Sequence, residues 1–136
     1  MQLHRDTDYG IYAINAYSAG ELIITPPFGV DCDALPGEKA SSDALDRRRT
    51  LRQSAIITLH EMVGDWPPQT FSELQAQHLA QLIPLKPELV LLGTGPSCQI
   101  PATALTAPLI EAGIGVEFMD TGAACRTYNL LTFDGR

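Results

Sequence analysis

The sequence predicts an α/β domain on a mostly parallel sheet flanked by helices. Three observations carry this. Leu89–Leu92 is a short apolar run without alternation, as in a strand buried on both faces, and Gly115–Met119 reads as another buried-strand run. A segment of helical periodicity follows each of them, so strands and helices alternate through the second half of the chain. The 136 residues are 45% apolar and 18% charged, which suits one domain with one core.

Each element has its own warrant. Ile11–Tyr17 and Glu21–Thr25 are rich in β-branched and aromatic residues, and Ser18-Ala19-Gly20 between them signals a turn. They read as a hairpin, ended by Pro26-Pro27 because neither proline can donate a ladder hydrogen bond. The chain then changes character. Between Asp31 and Gln53, ten of 23 residues are charged, five of each sign. Residues 28–53 are therefore expected to form a charged, mobile insert outside the core. Within it, Asp43 and Asp46 precede Arg47 and Arg49 at near-helical spacing, which predicts a short exposed helix over Ser42–Leu51. Arg47-Arg48-Arg49 with Arg52 reads as a solvated face or as a docking patch for an acidic partner.

Ser54–Leu59 reads as a strand and Gly64–Pro68 as a loop. Ser72 and Gln75 form a capping-box pattern. It precedes a helical face of Leu74, His78, Leu79, Leu82 and Ile83, about three turns long and stopped by Pro84. After Leu89–Leu92, a Gly93-Thr94-Gly95-Pro96 turn leads to Pro101, where a helix can begin. Leu105, Leu109 and Ile110 continue it, Pro108 is expected to bend or split it, and Gly113 closes it. After Gly115–Met119, Asp120-Thr121-Gly122 caps a last helix through Ala123–Leu131. Single helices between successive strands imply right-handed parallel crossovers.

Composition excludes several functions. Sixteen acids against nine bases leave a net charge of −7, which argues against a general nucleic-acid binder. Cys32, Cys98 and Cys125 are odd in number and form no Cys-x-x-Cys pair, so free, reduced thiols are expected. His4, His60 and His78 are scattered, and His60-Glu61 has Gly64 where a zinc motif needs its second histidine. No metal and no cofactor is expected. Met1–Asp8 resembles neither a secretory signal nor a transit peptide, and no apolar run approaches the ~20 residues of a membrane span. A soluble, cytoplasmic chain is the expectation.

Ligands of open parallel sheets bind beyond the carboxyl ends of the strands. Three loops are expected there, at His60-Glu61, Gly93-Thr94-Gly95 and Asp120-Thr121. The glycine turn can aim backbone N–H groups at an anion, although it lacks the G-x-G-x-x-G spacing and a P-loop lysine. Arg126 is the only base between Lys86 and Arg136. It either pairs structurally with Asp120 or forks onto a carboxylate or phosphate at the glycine turn. Cys125 sits near a helix start beside Arg126, but only His60 offers a base, so a buried inert thiol outweighs a nucleophile.

Three segments carry a family resemblance. They are Glu88-Leu89-Val90-Leu91-Leu92-Gly93-Thr94-Gly95, Gly113–Thr121, and Ala123–Leu131 with Asp134-Gly135-Arg136. Together they resemble the complex I (NADH:ubiquinone oxidoreductase) assembly factor 3 family, which includes the adipogenesis-associated protein of animals and many small uncharacterised bacterial and archaeal proteins. The resemblance is dense over about 88–136, fair over 54–87 and recognisable over 1–25. It implies a three-layer domain with a mixed central sheet, no established enzyme activity, and protein contacts, with a respiratory or membrane complex subunit as partner. The family's surface site matches Gly93, Thr94, Gly95, Asp120, Thr121, Arg126 and Asn129. Family members join their second and third strands by a short turn, where this chain carries 28–53. They also continue past Gly-Arg into an apolar strand, where this chain stops at Arg136. The leading expectation is a non-catalytic protein-binding domain without nucleic-acid binding or membrane insertion. The alternative is a small-anion or small-molecule site, with an enzyme as its strongest form, in the crevice at the strand ends.

Overall fold

The first hairpin forms where the β-branched residues gather. Ala13–Ser18 (β1) and Glu21–Thr25 (β2) pair antiparallel, with an irregularity between Ile14 and Ala16. Gly20, at φ 78°, takes the left-handed turn position that other residues adopt only under strain. Ile24 from β2 is fully buried. The computed structural model describes residues 10–133. The N-terminal stretch Met1–Asp8 and the closing Asp134-Gly135-Arg136, both used in the sequence reading, lie outside the described residues.

The described residues divide into two units. One runs to Trp66 and resumes at Tyr128; the other is Pro67–Thr127. In the first unit, Glu38–Lys39 (β3) and Arg49–Leu51 (β4) join the hairpin in the order β1-β2-β4-β3, every pair antiparallel. The expected mostly parallel sheet is thus corrected to a mostly antiparallel one. A parallel pair needs a crossover of a dozen or more residues, usually a helix. The segments joining β1 to β2 and β3 to β4 are shorter and contain no helix. Ile56–Ile57 (β5) and Met62–Val63 (β6) make a further antiparallel hairpin.

The charged stretch also enters the sheet. Arg49, Thr50 and Leu51 are all buried in β4, and the expected exposed helix over Ser42–Leu51 does not form. Short polar side chains take its backbone donors instead. Asp43 Oδ1 accepts from Leu45 N–H at 2.9 Å, Ser41 Oγ from Asp43 N–H at 3.2 Å, and Asp46 Oδ1 from Arg48 N–H at 3.0 Å. Such local bonds compete with helix. Hydrogen bonding to Arg48 holds the Asp46 carboxyl well below the usual carboxylate range. The Arg47 guanidinium donates to Pro27 O at 2.6 Å and lies 5.3 Å from the centroid of the Phe28 ring.

The second unit begins with a short helical turn, Phe71–Glu73, then helix Ala76–Ala80 (α1), then the turn Ile83–Leu85. The expected single helix is therefore broken. Gln75 is extended at φ −126° and ψ 161°, and its N–H donates to His78 Nδ1 at 2.9 Å. The cap thus sits three residues later than the Ser72 pattern implied. Leu89–Gly93 (β7) and Gly115–Met119 (β8) pair in parallel, with Thr103–Glu111 (α2) crossing between them. Pro108 is the sixth residue of α2 and does not split it. Gly113, at φ 81°, ends α2 as expected. Gly113 N–H donates to Ile110 O and Ile114 N–H to Leu109 O, the paired bonds of a Schellman cap. Leu79 and Leu109 are fully buried, with Leu92 and Ile114 nearly so. The last helix, Thr121–Phe133 (α3), begins in this unit and ends in the first.

There, Tyr128 Oη donates to Tyr12 O at 2.7 Å, and Asn129 brackets Ile14. Asn129 Nδ2 donates to Ile14 O at 2.7 Å, and its Oδ1 accepts from Ile14 N–H at 3.3 Å. A side-chain amide thus stands in for a strand partner on β1. Among the described residues, no helix is long and apolar enough to cross a membrane.

Candidate functional site at the strand ends

The register of β7 on β8 sets Gly93 opposite Met119, so the loops leaving both strands start side by side. They are sewn together by their own backbone. Thr94 N–H donates to Met119 O at 2.9 Å, and Thr121 N–H to Gly95 O at 2.8 Å. Gly95 N–H donates to Thr121 Oγ1 at 2.9 Å. Gly95 has φ 102°, so the turn needs glycine there. Gly93 is constrained by space. A Cβ on it would stand 3.0 Å from Thr121 Oγ1 and 3.1 Å from Thr121 Cα.

Thr94 is the hub. It is 5% exposed, and its hydroxyl donates to Ser97 O at 2.8 Å and accepts from Gln99 N–H at 3.0 Å. Asp120 Oδ1 accepts from Ala123 N–H at 2.8 Å and so caps α3. Gln99 escaped the sequence reading, because one glutamine in an aperiodic Pro-Ser-Cys-Gln stretch carries no pattern.

Gly93, Thr94, Gly95, Asp120 and Thr121 are therefore brought together. Arg126 and Asn129 do not join them. Arg126 is exposed and, among the described residues, makes no ion pair, so the expected Asp120–Arg126 pair is absent. The reason is local: at 3.6 residues per turn, Arg126 leaves α3 on a different side from Asp120, whose Oδ1 caps the helix. Asn129 is engaged on Ile14. His60 and Glu61 lie in the β5–β6 hairpin turn, not at the end of a parallel strand, because Ser54–Leu59 folds back antiparallel. Burial pushes the Cys125 thiol up, against a smaller opposing effect of Arg126, which suits an inert thiol. All three cysteines are free. Among the described residues, no three His, Cys, Asp or Glu side chains gather to hold a metal ion.

Chemically, the crevice holds a closed polar web in place of an open cradle. An anion at the glycine turn would have to displace Thr121 Oγ1 from Gly95 N–H. Outward, residues 96–100 present two apolar side chains, Pro96 and Ile100, beside the exposed Ser97, Cys98 and Gln99. Ile100 is 77% exposed and Phe118 36%, and Cys98 Sγ lies 3.9 Å from Phe118 O.

These features define a small protein of mixed helices and strands whose strand-end loops satisfy their own hydrogen bonds. The chain belongs to the family described as protein of unknown function (DUF498/DUF598), whose pattern matches residues 42–136. It is 35% identical over 86 residues to the "13 kDa major membrane protein" of Francisella tularensis subsp. holarctica (strain LVS), covering 63% of this chain and 66% of that one. A solved Xanthomonas campestris protein is 31% identical with a TM-score of 0.67, covering all of this chain and 86% of that one. A Bordetella pertussis protein described as an Mth938-like domain is 26% identical with a TM-score of 0.63, covering all of this chain and 87% of that one.

Proposed function

We propose that the chain is a non-catalytic binding domain that holds a protein partner, as an assembly factor does, on the surface formed by residues 96–100 and the end of β8. The observation that carries this is the closed web. Gly95 and Ala123 N–H groups are engaged internally, while Ile100 and Phe118 stand in solvent beside them. In this reading Gly93, Thr94, Gly95, Asp120 and Thr121 hold the loop in shape, and Arg126 is available to a partner's carboxylate. The resemblance to complex I assembly factor 3 supports a partner from a respiratory or membrane complex. The name of the Francisella relative, a major membrane protein, supports the same setting. The domain would work from the cytoplasm, against a complex that is itself in the membrane.

A photo-crosslinking residue at position 100 tests this in the cells that produce the chain. One discrete adduct should form, competed by excess wild-type chain and not by the Ile100→Asp variant. Adducts indistinguishable from those of the same probe at Leu45, which is 88% exposed in the other unit, would contradict the proposal. So would tight phosphate or carboxylate binding by calorimetry, which belongs to the small-anion alternative.

A further inference from the structure

The parallel pair β7–β8 is only two strands wide, and among the described residues no strand pairs with β8 on its far side. The ladder fixes which backbone groups are left over. Gly115 N–H donates to Glu88 O, and Met119 O accepts from Thr94 N–H. In a parallel ladder the groups of alternate residues face one neighbour, so Gly115, Glu117 and Met119 face β7. The N–H and C=O groups of Val116 and Phe118 face outward; Phe118 O already accepts from Cys98 Sγ, which leaves the Val116 N–H and C=O and the Phe118 N–H for a further strand. The weak approach of Cys98 Sγ to Phe118 O agrees with that direction.

The side chains along this edge are exposed too. Gly115 and Glu117 lie in solvent, and Phe118 is 36% exposed. Natural sheets protect open edges with short strands, charges or covers, and an unprotected one is a template for another strand. β8 has one charge, Glu117, at its centre. A second copy pairing about a two-fold axis there would set Glu117 against Glu117, and like charges directly opposite are destabilising. The chain's net charge of −7 adds to the repulsion.

Resting on the binding-domain reading, we infer that the open edge of β8 binds a partner's extended segment by strand addition. That segment alternates apolar residues, on the face of Val116 and Phe118, with a lysine or arginine beside Glu117.

The test uses the full chain and a fluorescent, capped octapeptide of alternating valine and lysine. Its N-methylated twin has the same sequence and charge but no backbone donors. The first peptide should bind at least tenfold tighter than the twin. Glu117→Lys should weaken it at least tenfold and transfer the preference to a valine–glutamate peptide. Equal binding of peptide and twin, or no binding of either, overturns the inference. Val116→Pro removes one outward N–H on an edge position where proline is tolerated. If the adduct at position 100 persists in folded Val116→Pro, strand addition fails while the binding-domain reading stands. If wild-type chain gives no adduct, that reading itself fails.

Discussion

Truncating Arg49 tests whether the charged stretch is part of the fold. Arg49 is 7% exposed in β4, and its Nη2 donates to Leu35 O at 3.0 Å and to Gly37 O. Its Nε is buried without a hydrogen-bond partner among the described residues. Two costs and one gain compete in Arg49→Ala. The loss of two charge-assisted bonds costs about 1.5–3 kcal/mol each at most, less here because Gly37 is exposed and its carbonyl can rehydrate. Removal of the buried stem costs roughly 2 kcal/mol at about 0.8 per methylene. Against this, a desolvated cation with an idle Nε is relieved, a gain on the order of a few kcal/mol. The net expectation is a loss of about 2–3 kcal/mol for alanine. Arg49→Met keeps most of the stem and should lose only about 0–1 kcal/mol. Urea unfolding of the three proteins, followed by circular dichroism, measures both. An alanine variant within about 0.5 kcal/mol of wild type would refute the reasoning, because surface substitutions stay within that range.

Other outcomes follow from single contacts. Burial pushes the hydroxyls of Tyr12 and Tyr128 above the ordinary tyrosine value, so the folded state keeps their protons. Stability should be intact below about pH 10 and fall as pH rises beyond it; Tyr128→Phe should flatten that fall and cost about 1 kcal/mol at neutral pH. Urea midpoints across pH 8–11.5 check this. Asp120→Ala should cost about 1 kcal/mol, the usual loss of an N-cap, and Asp120→Asn much less. With a thiol reagent under native conditions, exposed Cys98 should react in the fast phase and buried Cys125 only on unfolding. Fast modification of Cys125 would contradict the inert-thiol reading.

The second half of the fold was legible because its signals are local. Short apolar runs marked β7 and β8 as strands, although β8 is not buried on both faces as expected, since Gly115, Glu117 and Phe118 are exposed; Gly113 marked the end of α2, and Asp120 marked the start of α3. In the first half the β1–β2 hairpin was legible, but the charged stretch after it was not, because its signals conflict. Arg49 reads as surface by its charge, yet carbonyls three-dimensionally adjacent to it supply what water would. Asp43 and Asp46 look like helix partners for arginines, yet bind the backbone beside them. Sheet direction also depends on non-local pairing, which Ser54–Leu59 does not encode by itself. At the candidate site, the cluster of Gly93–Gly95 with Asp120 and Thr121 could be placed from topology. Whether its N–H groups were free could not, since the acceptor for Gly95 is a threonine 26 residues away.

Residue-resolved hydrogen exchange, with and without the valine–lysine peptide, tests the central claim most directly. The Gly95 and Ala123 amides should be protected in the free chain, where Thr121 Oγ1 and Asp120 hold them. The Val116 and Phe118 amides should exchange fast when free and slow when the peptide is bound. Fast exchange at Gly95 that slows with added phosphate, with Val116 and Phe118 unchanged by peptide, would contradict the account and favour an anion site.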